Sequence, residues 1–144
     1  MQIKIFLQIA SKEKNLPSKA LFQHWANAAF NKNCARNEVT IRLVDNLESK
    51  RLNLQYRHKN SPTNVLSFPF APPKGIPTKV LGDLVISAPL VKAEARQQKI
   101  SQAFHFAHLT IHGVLHLLGY DHQTEKTATR MEKKEAKILK QLGF

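Results

Sequence analysis

An α+β fold, with a mixed four-stranded sheet covered by about five helices, is what this sequence predicts, and three observations lead there. Apolar residues alternate with polar ones in short stretches and recur at helical spacing in longer ones. The stretches follow one another as β-α-β-α-β-β-α-α-α, and the two strand-helix-strand passages favour parallel neighbours. The closely spaced third and fourth strands are joined by a proline-rich loop and favour an antiparallel pair. Strand order does not follow from these rules. A chain of 144 residues forms one domain by length, spanning 1–144, and can bury most of its apolar surface without cross-links.

Each element has a local reason. Ile3, Ile5, Leu7 and Ile9 alternate with polar residues except at Phe6, which marks a half-buried opening strand. Pro17-Ser18 punctuates the start of a helix from about Lys19 to Phe30, where Leu21, Trp25, Ala28 and Ala29 recur at helical spacing. Val39, Ile41 and Leu43 mark a second strand. Asp45 followed by Glu48 has the form of a capping box and starts a helix running to about Gln55. Asn60-Ser61-Pro62-Thr63 is turn chemistry, and Val65 to Phe68 is a strand that Pro69 pushes to a sheet edge, since proline cannot donate to a ladder. Ala71 to Lys79 is a loop, and Val80 to Ser87 is the fourth strand. Ser87 with Pro89 opens a helix through Lys99, and Ser101 caps the next one. A last helix runs from about Glu125 to Leu142. Its lysines face outward while Met131, Ile138, Leu139 and Leu142 dock.

Charge and composition narrow the class of function. The net charge is +12, from 22 Lys and Arg against 10 Asp and Glu, and a polyanion is the natural partner. From Ser49 to Gly82 the chain carries Lys50, Arg51, Arg57, Lys59, Lys74 and Lys79 without one acidic residue. Such a stretch attracts a phosphate backbone, or else forms an ordinary solvated basic surface. Gln2, Lys4 and Gln8 interrupt the apolar N-terminus, so it predicts neither a membrane span nor a signal peptide. The single cysteine, Cys34, permits no internal disulfide and is most simply a small buried hydrophobe. A cytoplasmic protein without a membrane partner is expected.

The chemistry concentrates between His112 and His122. His112 and His116 lie one helical turn apart on the same face and can grip one ion between them. Gly119 tolerates the left-handed conformation that ends a helix, and Tyr120-Asp121 then carry the chain back to bring His122 to the pair. The spacing H-x3-H-x2-G-x2-H is zincin-like, that of the metzincin proteases, but Gly113 stands where those enzymes carry a catalytic glutamate. The pattern therefore argues for zinc and against peptide hydrolysis by that route. Three imidazoles leave one tetrahedral position open, as catalytic zinc sites do, unless Asp121 closes the shell. Nickel and other divalent ions suit three imidazoles too. His105 and His108 extend the histidine stripe of the same helix, and a structural or supporting role fits each at least as well as a direct one. Phe104, Ala107, Ile111, Val114 and Leu118 occupy a side offset by roughly 120° and are expected to face the core.

Three blocks of the sequence together resemble the YbeY family of bacterial endoribonucleases and ribosomal RNA maturation factors, and the resemblance spans nearly the whole chain. They are Leu52-Asn53-Leu54-Gln55-Tyr56-Arg57 with Pro62 to Pro69, then Leu81-Gly82-Asp83-Leu84-Val85-Ile86, then His108 through His122. The resemblance implies that His112, His116 and His122 hold one Zn2+ per chain. It also implies that Arg57 and His112 are catalytic, with Arg57 and Lys59 binding substrate. The implied activity is single-strand-specific endoribonuclease action in ribosomal RNA maturation at the 16S 3′ end and in ribosome quality control. Ribosomal RNA and ribosomal subunits are the implied partners, with ribosomal proteins or a GTPase as further ones. There are two departures: Asn60 replaces an aspartate common after the lysine, and the segment after His122 is more basic than usual.

The implied chemistry is consistent with the residues. Phosphodiester cleavage builds negative charge on non-bridging oxygens, which zinc and an arginine stabilise without the missing glutamate. Zinc lowers the pKa of a bound water toward roughly 7. On its residues alone Arg57 is a surface cation at a helix end, and its planar donors are what suit it to clamp phosphate. Asp83 has two readings, a carboxylate orienting a ligand histidine or a turn cap. Thr63 and Ser67 either contact phosphate or bond local backbone. The competing function is a non-catalytic, metal-stabilised ribosome assembly factor that binds ribosomal RNA, and a protease is a third that Gly113 weakens.

Overall fold

The computed structural model describes residues 2–144. Its elements follow the predicted order: β1 (Lys4–Ile9), α1 (Lys19–Ala29), β2 (Glu38–Val44), α2 (Asn46–Arg57), β3 (Val65–Pro69), β4 (Val80–Ser87), α3 (Ala88–Gln98), α4 (Gln102–Leu117) and α5 (Glu125–Gln141). The sheet order is β1-β2-β4-β3. β1 runs parallel to β2, β2 parallel to β4, and β3 antiparallel to β4. The first strand-helix-strand passage thus gives parallel neighbours as expected. The second does not, because β4 inserts between β2 and β3 and becomes the parallel partner of β2. Pro69 closes β3 on the sheet edge, where its missing N–H leaves no ladder bond unmade.

One face of the sheet carries the main core. Ile5, Val39, Ile41, Leu43, Leu84 and Ile86 are fully buried there against α1 and α4. Phe22 of α1 meets Trp25 and Phe106 edge to face, with ring centroids 5.5 and 6.2 Å apart. α4 is the central helix, packed on β3 and β4 with α1, α3 and α5 around it. Ala107, Ile111 and Val114 are buried as expected, while Phe104 and Leu118 are half-buried. The other sheet face holds a smaller cluster of Val44, Leu66 and Val85, closed by Leu52 of α2 and Phe68. Cys34 is half-buried against the main core.

The helix starts match the sequence with one exception. Ser18, Ser87 and Ser101 cap α1, α3 and α4 through hydrogen bonds from Leu21, Leu90 and Phe104 N–H. Asp45 sits at the N-cap of α2 but makes no capping bond. Its carboxylate accepts instead from the Ser11 hydroxyl and the Lys12 N–H, and Glu48 is taken by Arg42 at 2.7 Å. The capping box forms at α5, between Thr124 and Thr127. Among the described residues no helix is long and apolar enough to cross a membrane.

Candidate metal centre

The site begins at the end of α4. Leu118 closes the helix, Gly119 follows at φ +102°, and two hydrogen bonds complete a Schellman turn: Gly119 N–H to His116 C=O and Tyr120 N–H to Leu115 C=O. A Cβ at Gly119 would meet nothing, so the backbone angle alone calls for glycine here. Tyr120 packs against the core, and the chain returns with His122 beside the helix. His112, His116 and His122 each present a ring nitrogen within 4.8 Å of the others. The Nε2 atoms of His112 and His116 are 3.1 Å apart. This is the convergence the sequence spacing predicted, and the three side chains can hold a metal ion.

Asp121 does not join them. Its carboxylate accepts from the Gln123 N–H at 3.3 Å and shapes the turn. Hydrogen bonding from Thr127 first, and then from Gln123, holds its carboxyl below the usual range. The group that touches the histidines is Glu135 of α5. It is 5 % exposed, and its two oxygens lie 2.7 Å from His108 Nε2 and 2.7 Å from His112 Nδ1. Burial would raise its pKa, but the bonds from His108 and His112 prevail and hold it at about 2. A carboxylate only accepts, so both imidazoles donate to it. At His116, burial and then the neighbouring rings of His112 and His122 push the pKa down, which favours the neutral form that a metal binds.

Glu135 escapes a reading of the sequence because it stands among the lysines of α5. The available signal is its register: Met131, Glu135, Ile138 and Leu142 fall on one face, so one carboxylate sits on an otherwise apolar docking stripe. Asp83, the carboxylate that the sequence suggests for this duty, is exposed in mid-strand, paired with Thr40 and Phe68. It lines a groove with Gln8, Arg42 and Tyr56 and serves neither the histidines nor a turn. His105 is buried and bonds Glu94 of α3 at 2.8 Å, a supporting role that keeps it from the cluster.

Arg57 reaches the same place from the opposite wall. It is the last residue of α2, exposed, and the chain then turns through His58 at φ +59°. Tyr56 packs edge to face on Phe68 at 5.0 Å, which ties the helix end to β3. Ser49 exchanges two hydrogen bonds with the Thr63 backbone, and Asn53 donates to Ser61 C=O at 2.8 Å, so the loop between α2 and β3 is pinned along its length. The result is a cleft of about 530 Å³ lined by Arg57, Thr63, Asn64 and Ser67 on one side and by the three histidines on the other. Lys59 is exposed on the turn after α2 and is not among the lining residues.

Known proteins share this arrangement of fold and sequence. The family model described as Endoribonuclease YbeY matches residues 7–143. The chain belongs to the YbeY family. That membership places it among the RNA-cleaving hydrolases. An Endoribonuclease YbeY from Alteromonas mediterranea is 51 % identical over 131 residues, covering 90 % of this chain and 83 % of that one. The solution structure of TM1509 from Thermotoga maritima is similar with a TM-score of 0.61 at 28 % identity, over 93 % of this chain and 87 % of the other. The expected YbeY resemblance therefore holds, and so does the mixed four-stranded sheet with five helices.

Proposed function

We propose that this YbeY-family chain is a zinc-dependent, single-strand-specific endoribonuclease that acts in ribosomal RNA maturation at the 16S 3′ end and in ribosome quality control. The observation that carries the metal-dependent part is the sharing of one cleft by three convergent imidazoles and Arg57. His112, His116 and His122 would hold the zinc. The donor set fits it: three nitrogen ligands, with no carboxylate or thiolate of the described residues in the cluster to complete a closed structural site. When bound, zinc supplies Lewis-acid stabilisation of charge growing on a phosphodiester oxygen.

Arg57 binds the scissile phosphate. Its guanidinium presents paired donors to two oxygens at once. The wall opposite the histidines adds the side chains of Thr63 and Ser67, whose hydroxyls can donate to a phosphate oxygen. Such donors, aimed where negative charge develops, are each worth about 10²–10³ in rate when removed singly. The cleft suits single-stranded RNA, whose unstacked backbone bends into a recess that a rigid duplex cannot enter. The wider surface supports an RNA partner through the net charge of +12. Lys59, close to Arg57 in sequence, would hold the strand outside the cleft. Ribosomal subunits, and with them ribosomal proteins or a GTPase, are the partners this reading expects in a cytoplasmic setting.

A set of three nitrogen donors, which would leave a bound zinc room for water or substrate, favours cleavage over the alternative of a purely metal-stabilised RNA-binding factor. The test is metal content set beside activity. Purified protein should carry about one zinc per chain, and His112→Ala should lose both zinc and cleavage of ribosomal RNA while remaining folded. Wild-type cleavage by the His112→Ala variant in a nuclease-free preparation would refute the proposal.

A further inference from the structure

Glu135 is a buried acid with two imidazole partners and no counterpart in the histidine motif. It belongs to α5, whereas both its partners belong to α4, so the contact forms only when α5 docks through Met131, Ile138 and Leu139. Its two oxygens are divided, Oε1 to His108 and Oε2 to His112. We infer that Glu135 is a positioning residue: it fixes His112 as the Nδ1–H tautomer and turns its Nε2 lone pair toward His116 and His122, while His108 holds the other oxygen of the carboxylate in place.

The chemistry behind this is simple. A neutral imidazole carries one proton, and a metal binds the nitrogen that lacks it. Left to itself a histidine ring can place the proton on either nitrogen and rotate. Here Nδ1 faces a carboxylate oxygen 2.7 Å away, an acceptor, so the geometry holds the proton on Nδ1 and leaves Nε2 to face the cleft. His112 Nε2 lies 3.1 Å from His116 Nε2, on the cleft side. His108, half-buried, keeps the second oxygen engaged and so limits rotation of the carboxylate. Preorganisation of this kind spares the binding event the ordering of one ligand, and removing such a partner typically weakens metal affinity by about 10–100-fold.

The inference rests on the metal reading of the same site, and the experiment separates the two. In metal-free full-length protein, long-range ¹H–¹⁵N correlations of the imidazoles should show His112 protonated on Nδ1. Zinc affinity, measured by competition with a chromophoric chelator, should fall about 10–100-fold in Glu135→Gln and in Glu135→Leu. The loss should be smaller in His108→Gln, which leaves the His112 bond intact. Thermal unfolding of each metal-free variant reports any structural damage separately, and a purely structural Glu135 would lower stability without moving the tautomer of His112. Wild-type His112 protonated on Nε2, or wild-type zinc affinity in both Glu135 variants, would overturn the inference. Failure of wild-type protein to bind zinc would instead strike the metal reading while leaving the tautomer result to stand alone. The wild-type spectrum decides the matter even where a variant folds poorly.

Discussion

Gly113 follows His112, and its lack of a side chain has a cause in packing. A Cβ built there would lie 2.7 Å from Leu84 Cδ2 and 2.8 Å from Cδ1. Leu84 is fully buried in β4, so its close-packed side chain would have to shift to admit any larger residue. The missing glutamate is therefore dictated by the close approach of α4 to the sheet, and position 113 points into the core, away from the cleft. Gly113 by itself thus says nothing of a phosphate substrate; Arg57 across the cleft and the family match carry that weight instead. Gly113→Ala should cost about 1–3 kcal/mol through overpacking. Chemical denaturation checks it, and an unchanged midpoint would show that α4 can shift freely on β4.

At the scale of elements, the turn after α4 is what converts the helical pair His112 and His116 into a three-sided cluster with His122. Gly119→Ala adds no clash, yet it forces a side chain into the left-handed region at a cost of about 1–2 kcal/mol. The expected result is lower thermal stability together with weaker zinc binding, because relief of the strain moves His122 away from the pair. Zinc affinity equal to wild type in a destabilised protein would separate the turn from the site. The histidine convergence is legible in the sequence because it depends on helix pitch and one glycine, both local. So are the serine caps and the antiparallel pairing of β3 and β4 across the proline-rich loop. What does not show there is long-range. The Asp45 carboxylate goes to residues Ser11 and Lys12, Glu48 goes to Arg42, β4 enters between β2 and β3, and Glu135 reaches from α5 to α4. No local spacing rule encodes such partners. Asp83 is the carboxylate inside a motif block, but strand alternation puts it on the sheet face turned away from the histidines, with Leu84 on the inner side.

For the whole molecule, charge and metal make separable demands. The outward face of α5 carries Lys126, Arg130, Lys133, Lys137 and Lys140 at alternating spacings of four and three, all exposed, opposite the face that docks Met131 and Glu135. Replacing Lys126, Arg130, Lys133 and Lys137 by Gln should weaken RNA binding and flatten its dependence on salt, by about 0.7 in the log-log slope for each phosphate of the single strand that is no longer neutralised. Stability should change little, since surface substitutions usually stay within about 0.5 kcal/mol. Salt-titrated binding to a single-stranded RNA checks this, and an unaltered slope would place the RNA on another face. The proposed function requires metal and Arg57 to act together on one phosphate, and zinc titration of metal-free protein in a ribosomal RNA cleavage assay, with Arg57→Ala alongside, measures that cooperation. Wild-type cleavage should rise with zinc and level off at about one ion per chain, whereas Arg57→Ala should bind the same zinc and cleave at least about 100-fold more slowly. Undiminished cleavage by the metal-free protein, or wild-type cleavage by Arg57→Ala, would contradict it.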